Sequence, residues 1–476
     1  MSRRALSAAA FALIALCTGN RAGAQVPGGR CALQFVGTRD TRLRSEQQPS
    51  GRYNSYIGGG FTANCKGQDV TLQSDSAEQY EDRNLIILIG SVKYREKRAN
   101  LDSRRLTYYL SEERLYSEGD VVVTLPSGTV MKGPVVEYFR AVPSIRATSR
   151  MWAPQRSVTS LVQRDSTGKK DEPVVVEADR TASTNDSLFF LGGRVHVTRT
   201  DLYSTSDSAR VDNGTGFAQL LGSAVVRGKG KRVFTLESTV IDLFSHEQHL
   251  ERVVSKGNAR ATGEDFDLTS DTIVMQIDSN QIQRAQAWGK KRATVLSPGR
   301  QMIADSLDIL MPRQQLREVH ALRGAFAESD PDSTKVRTSE RDWIRGDTLF
   351  AVFDSIPPGD TTSKARIKRI IATGRAKSYQ QVASNSGRID KPAINYVRGR
   401  LITVFFDSAT VQSVHVDQNA VGVYLEPTPP DTAKGAPAKD GAPRTTPAKG
   451  APPAVPAPTK VAAPVARTGA NPDGHD

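Results

Sequence analysis

The dominant feature of the chain is an alternation of apolar and polar residues that recurs along most of its length. In residues 305–309 (DSLDI), for example, Leu307 and Ile309 are separated by a single polar residue. Successive side chains of a β-strand point to opposite faces, so a period of two predicts strands with one apolar and one polar face. Helical periodicity is nearly absent, and Gly, Thr, Val and Asp stand where helix formers would be expected.

Two short motifs repeat in register with these strands. The first is Gly, any residue, and then Val, Ala or Phe; its copies begin at Gly90, Gly119, Gly193, Gly222, Gly257, Gly324 and Gly374, with a weaker copy at Gly289. The second is an acidic residue and Ser or Thr ahead of an alternating strand; its copies begin at Asp207, Glu237, Asp271, Asp305 and Asp347. Adjacent copies of the first motif lie roughly 29 to 35 residues apart, which indicates stacked repeats that share one apolar interior.

Each repeat is predicted to contain about three short strands. Several strands end in Asp-Ser, at Asp278, Asp354 and Asp407, where a short polar side chain can start a turn. We therefore predict an all-β fold, a folded-over β roll of stacked repeats, with glycine bends where the chain passes from one wall to the other.

Composition divides the chain into six segments. The prediction assigns 1–24 to a signal peptide, 25–70 to an irregular N-terminal segment and 71–140 to the first β repeats. A loop or linker is predicted at 141–172, the main β roll at 173–426, and a disordered tail rich in Pro and Ala at 427–476.

The N-terminus is typical of an export signal. Arg3 and Arg4 precede an apolar run over residues 5–16, and residues 22–24 (AGA) offer a cleavage site before Gln25. The run is about a dozen residues long, shorter than the roughly 20 needed to span a membrane. Leu16 disfavours lipidation of Cys17. We expect a periplasmic protein, with association to the outer membrane left open.

Cleavage would leave Cys31 and Cys65, which could close a loop of about 35 residues in an oxidising compartment. The alternative is a pair of free thiols in a poorly ordered segment, and the sequence does not decide between them. Neither cysteine belongs to a CxxC or zinc-type spacing.

The chain is basic, with a formal net charge of +13 that falls by three, to +10, without Arg3, Arg4 and Arg21. An exported protein of this charge is expected to meet anionic lipid or glycolipid rather than nucleic acid. The charges are spread along the chain, so solubility alone explains them equally well.

Candidate catalytic residues are few. His246 and His249 have a His-x-x-His spacing, but a solvated turn explains them better than a metal site. No nucleophile elbow, phosphate-binding loop or dinucleotide fingerprint occurs in the sequence. We predict a protein that is not an enzyme and uses no metal or cofactor; a secreted β-helix enzyme acting on polysaccharide is the catalytic alternative.

The two motifs, together with the closing runs at residues 411–416 (VQSVHV) and 422–427 (GVYLEP), resemble the OstA-like repeats of the LptA/OstA family and of the N-terminal part of LptD. The resemblance covers approximately Gln73 to Pro427 and is strongest from Glu177 onward. It implies a periplasmic β roll that holds lipopolysaccharide acyl chains in its lumen, keeps sugars and phosphates outside, and pairs end to end with other Lpt-type β rolls.

The expected lumen residues are apolar side chains on the inward face of the repeats. They are Val195, Val197, Val211, Ile241, Leu243, Ile273, Met275, Ile277, Leu307, Ile309, Phe326, Leu349 and Phe353. The same side chains could instead pack against one another in a closed core, which would make the protein a structural or assembly β-solenoid of the cell envelope without a lipid cargo.

Overall fold

The computed structural model describes residues 29–427, apart from 38, 163–171, 230–232, 247–248, 265, 280, 355–364, 386 and 408–409. The predicted signal peptide and residues 428–476 of the predicted tail lie outside the described residues. In the described ranges, no helix is long and apolar enough to cross a membrane.

The first part of the chain forms strands β1 to β14. Their bounds are β1 Leu33–Phe35, β2 Arg42–Gln47, β3 Tyr53–Gly58, β4 Phe61–Cys65, β5 Val70–Ser74, β6 Ser76–Tyr80, β7 Leu85–Glu96, β8 Ala99–Tyr109, β9 Arg114–Thr124, β10 Val130–Phe139, β11 Arg150–Ala153, β12 Ser157–Leu161, β13 Val174–Ala178 and β14 Arg180–Thr184.

Strands β15 to β28 follow, with one short 3₁₀ helix, Pro312–Gln314, between β22 and β23. Their bounds are β15 Leu188–Thr198, β16 Leu202–Asp212, β17 Phe217–Gly228, β18 Thr235–His246, β19 His249–Thr262, β20 Asp267–Asp278, β21 Gln281–Ser297, β22 Arg300–Leu310, β23 Glu318–Ser329, β24 Asp342–Phe353, β25 Ile367–Val382, β26 Ala393–Asp407, β27 Thr410–Asp417 and β28 Val421–Leu425.

All strands belong to one antiparallel sheet that folds into two facing walls. The long strands β7 to β10 and β15 to β26 cross both walls, and their pairing register shifts where they pass from one wall to the other. Short strands divide between the walls instead. Wall A contains β5, β12, β13 and β28, and wall B contains β6, β11, β14 and β27. The predicted all-β fold of consecutive antiparallel strands is confirmed.

The bend between the walls, which we call the ridge, is built from the glycine motif. At Gly222 and Ser223 two consecutive residues have positive φ, +73° and +43°, a combination that turns the chain sharply. The same pair recurs at Gly90–Ser91, Gly119–Asp120, Gly193–Arg194, Gly257–Asn258 and Gly374–Arg375.

At Gly90, Gly193, Gly222 and Gly374 an acidic side chain of the neighbouring strand lies beside the glycine, whereas Gly119 lies beside Arg104 and Gly257 beside Thr239. A Cβ on Gly222 would stand 2.3 Å from Asp207 Oδ2, and one on Gly374 would stand 2.3 Å from Asp347 Oδ2. The residue after the glycine also contacts the acid, as when Arg375 Nη2 donates to Asp347 Oδ1 at 2.7 Å. At Gly222 and Gly374 the two motifs are therefore halves of one bend.

Two segments differ from their predictions. Residues 25–70, predicted to be irregular, contain β1 to β4, and Cys31 and Cys65 form a disulfide that ties the chain before β1 to the end of β4. The predicted loop at 141–172 contains β11 and β12. The inward residues of β12 include Ser157 and Thr159, so the binary pattern does not reveal the strand.

Candidate functional site

We call the edge of each wall that lies farthest from the ridge its tip; it consists of the strand ends and the turns that join them. In the N-terminal part of the roll, polar contacts join the tips of the two walls. Besides the cluster described next, side chains from one tip bond the other tip at Ser127 to Asp186 (2.6 and 2.7 Å), Asn213 Nδ2 to the Val162 carbonyl (3.1 Å) and Arg199 Nη1 to Ser245 Oγ (3.0 Å). The three contacts reach as far along the roll as β18, and one further contact, from Thr410 Oγ1 to Asp332 Oδ2 at 3.5 Å, joins the tips near the C-terminal end.

Arg140 is the centre of the first of these ties. Its Nε donates to Glu96 at the tip of wall A at 3.0 Å, and its Nη1 donates to Glu113 at the tip of wall B at 2.6 Å. Their side chains are 6%, 8% and 0% exposed. The phenol of Tyr108 donates to Glu113 and that of Tyr138 to Glu96, and burial raises the pKa of both phenols. This part of the interior is filled by mutually satisfied groups.

A cavity of about 500 Å³ opens further along the chain, between the wall tips from the end of β17 to β27. Except at the tip, where Gln314 and Gln315 line the cavity, its wall B side is apolar. The lining side chains there include Ile309, Val319, Ala351, Phe353, Ile370 and Val404. These residues pair across successive strands, so they form continuous inward rows of the sheet.

Wall A changes character with distance from the ridge. Next to the ridge the inward residues are small, as at Ala293, Ala304 and Ala325, each at most 1% exposed. The next row along the same strands is apolar and includes Met302 and Ile344, which line the cavity. Space for the cavity therefore lies away from the ridge, toward the wall tips.

The outermost inward row of wall A is polar. It consists of Ser297, Arg300, Ser329, Asp342 and Gln380, one residue from each of five successive strands, and all of them line the cavity. We call this the polar row. The cavity is thus amphipathic, with an apolar interior and a margin that is polar along wall A.

Arg300 is the cation of the polar row. It begins β22 on the same face as Met302 and Ala304, which places it inward. Burial lowers the pKa of its guanidinium, and the group nevertheless stays charged, since arginine does not lose its proton in proteins.

Asp342 is the acid of the polar row. Its Oδ1 accepts the backbone N–H of Gln381 at 2.8 Å. Burial raises the pKa of this carboxyl, an effect that exceeds the lowering by the hydrogen bond from Gln381.

The structure places most of the predicted lumen residues inside the roll. Ile309 and Phe353 line the cavity. The others that are buried or packed against the core outside the cavity lining are Val195, Val197, Val211, Ile241, Leu243, Ile273, Met275, Ile277, Leu307 and Leu349.

Phe326 lies on the outer face, contrary to the prediction. In this copy of the motif the positive-φ pair is Arg323 and Gly324, one residue earlier than elsewhere. Ala325 therefore takes the buried position, and Phe326 packs outside with its ring centroid 6.4 Å from that of Trp343.

Sequence reasoning missed the polar row, since its residues interrupt the apolar alternation at strand ends. Once the strand pairings are known, the row follows from register alone: Arg300 is paired with Ser329, and Ser329 with Asp342. His246 and His249 are paired where β18 and β19 meet, and the described residues contain no group of three or more His, Cys, Asp or Glu suited to a metal ion.

No protein-family model matches the chain, and no curated protein does. Among solved structures, the chain is similar to LptH of Pseudomonas aeruginosa, described as the LptA-homologous periplasmic component of the lipopolysaccharide transport device. The identity is 20%, the match covers 26% of this chain and 94% of that one, and the TM-score is 0.23. A similarity of this size carries no argument about the function of this chain.

Proposed function

We propose that this protein binds the acyl chains of a lipid in the cavity and takes part in carrying that lipid, lipopolysaccharide or a relative of it, through the periplasm to the outer membrane. The observation that carries the proposal is the apolar cavity of about 500 Å³. Each methylene group moved from water into such a site contributes roughly 0.8 kcal/mol, so acyl chains can be held without specific polar contacts.

The choice of cargo is supported by the resemblance of the repeats to OstA-like repeats. The size of the cavity also suits a lipid, since pockets of about 300 to 1,000 Å³ are typical of sites that enclose small apolar ligands.

A structural role without a cargo is the second candidate, and the filled N-terminal part favours it. There Tyr94, Tyr108 and Tyr138 are at most 1% exposed and occupy the space between the walls. If the cavity were equally filled in solution, the whole roll would act as a packed solenoid.

The two candidates are separated by replacing one residue on each face of β24. Ala351 is fully buried and lines the cavity, and its neighbour Val352 points to the outer face. Ala351→Phe places a ring in the cavity and should lower lipid binding roughly tenfold, the effect of about 1.4 kcal/mol. Val352→Phe is the control and should bind as the wild type does.

Binding is measured by native mass spectrometry after loading with lipopolysaccharide, with thermal unfolding to verify that both variants fold. A wild-type protein that takes up no lipid, or equal uptake by the Ala351→Phe variant when it is folded, would leave the structural role as the better explanation.

We also propose that similar β rolls pair with the ends of this one. In the described chain, β2 pairs only with β3, and β28 pairs only with β26, so each presents an edge with free backbone groups. Site-specific crosslinking from Val423 in β28 to the terminal strand of a partner β roll would test this, and crosslinks formed equally from Val352, away from the edge, would contradict it.

A further inference from the structure

No acidic side chain of the described ranges balances the charge of Arg300. Arg300 forms no ion pair with a described residue, and burial alone accounts for the shift of its pKa. The two nearest acidic side chains on β23 and the turn after it, Glu328 and Asp330, are both bound by Arg341, at 2.9 Å each. A partly buried cation without a partner is costly, and a bound anion would remove that cost.

The acid of the polar row does not serve this purpose. Asp342 lies two strands from Arg300, with Ser329 between them. Its carboxyl is engaged by the backbone of Gln381, and no attraction between Asp342 and Arg300 contributes to the pKa of either group.

The neighbours of Arg300 suit an anion. Ser297 and Ser329 are the register partners of Arg300 on the two neighbouring strands, so a hydroxyl donor stands on either side of it in the polar row. A guanidinium binds phosphate or carboxylate oxygens through parallel N–H donors, which makes this short stretch a suitable anion site.

Arg300, Ser297 and Ser329 lie at the margin of the cavity, so an anion bound there would be next to the apolar lining. Arg300 stands at the outer margin, and Met302, the next inward residue of β22, is already part of the apolar lining. On the opposite wall the margin is apolar at Phe353 and Ile367. An amphiphile with an acidic head would place its chain against the apolar residues and its head against wall A.

We infer that Arg300, flanked by Ser297 and Ser329, binds the anionic head group, phosphate or carboxylate, of the lipid whose chains occupy the cavity. The inference rests on the proposed function and adds to it a residue that selects for charge. Arg300 should therefore discriminate between lipids that have equal chains and different heads.

The test uses three probes on the purified protein: dodecyl phosphate, dodecanol and inorganic phosphate. Their binding is measured by displacement of the apolar dye N-phenyl-1-naphthylamine. We expect the wild type to bind dodecyl phosphate roughly tenfold more tightly than dodecanol, since hydrogen bonds to charged groups contribute this much. Inorganic phosphate should not displace the dye, nor should it weaken the binding of dodecyl phosphate at equal concentration.

Arg300→Gln should abolish the preference by weakening dodecyl phosphate alone, with dodecanol binding unchanged. Arg398→Gln is the matched control, because Arg398 is an exposed arginine on the outer face of wall A, and it should keep the preference. A preference that survives Arg300→Gln, or that Arg398→Gln loses equally, overturns the inference.

The remaining outcomes separate the inference from the proposed function. If inorganic phosphate competes as well as dodecyl phosphate, the site binds a free anion and the inference about lipid head groups is wrong. If the wild type binds dodecanol and dodecyl phosphate equally, the head-group site fails while acyl-chain binding stands. If it binds neither, the proposed function itself fails.

Discussion

Two inward-facing arginines differ in their partners, and the interior of the roll differs around them. Arg140 is surrounded by Glu96 and Glu113 and by two tyrosines, so all of its charge is used to join the wall tips. Arg300 occupies a comparable position near a wall tip, forms no ion pair with any residue that the structure describes, and has a cavity beside it. The same residue type therefore closes one part of the roll and leaves a site open in another.

At the residue scale, Asp342 should make stability depend on pH. Burial raises the pKa of this carboxyl in the folded protein, so its ionised form is disfavoured there. The contribution of Asp342 to the free energy of unfolding is therefore fully present below the pKa of the unfolded state, about 3.9, and is lost as pH rises through the higher pKa of the folded state.

The replacement Asp342→Asn should remove this loss. We expect the variant to be more stable than the wild type at pH 7, with the difference shrinking toward zero near pH 4, as measured by urea unfolding at each pH. Asp417→Asn, at an exposed position of β27, is the control. A difference at pH 4 as large as that at pH 7 would contradict the assignment.

Alternation in the sequence was sufficient to place most inward side chains, and it found Ile309 and Phe353 of the cavity lining. It failed at Phe326 because the local position of the bend decides which residue after the glycine turns inward. It could not find Arg300, since a charged residue at a strand end has the same appearance whether it faces solvent or a cavity.

At the scale of elements, the ridge is the unit that makes one strand serve two walls. At bends such as Gly222 the glycine supplies a positive φ and also the space for the acid of the preceding strand. The backbone conformation and the room for the acidic side chain are separate requirements, so different substitutions can measure the cost of each.

Gly222→Ala should lower the free energy of unfolding by about 1 to 3 kcal/mol, the cost of a strained backbone conformation, with a further cost from the contact to Asp207. Gly60→Ala isolates the first effect, because its φ is +96° but an added Cβ meets no atom within 4 Å. Chemical denaturation of Gly222→Ala with and without Asp207→Ala measures the coupling. Equal losses for Gly60→Ala and Gly222→Ala, with no coupling, would show that the contact is unimportant.

Elements with apolar inward residues were predictable, and those with polar inward residues were not. In β12 the inward Ser157 shares a hydrogen bond of 2.9 Å with Thr181 of β14, so a polar pair takes the place of an apolar contact. Strand β2 stands at the edge of the sheet and has one apolar residue, the exposed Leu43. Neither strand has the period-two signal on which the prediction depends.

At the scale of the whole molecule, the roll has a closed N-terminal part and a C-terminal part with a cavity. This division could not be read from the sequence, because the contacts that close the roll join distant residues. The backbone N–H of Cys31 donates to Glu113, 82 positions away, and Arg140 bonds Glu96, 44 positions away.

The closure around Arg140 leads to the last prediction. Arg140→Met leaves Glu113 buried without its cation, and breaking a buried pair in this way should lower the free energy of unfolding by about 3 to 5 kcal/mol.

The matched control is Arg104→Met, which removes an ion pair to Asp120 in which both side chains are at least 75% exposed. It should cost less than about 1 kcal/mol in urea unfolding. Because Arg140 joins the two wall tips, its loss should also raise amide hydrogen exchange in β7 to β10 while leaving β22 to β26 unchanged. Similar losses for the two variants, or faster exchange spread evenly over the roll, would mean that Arg140 does not act as the tie between the walls.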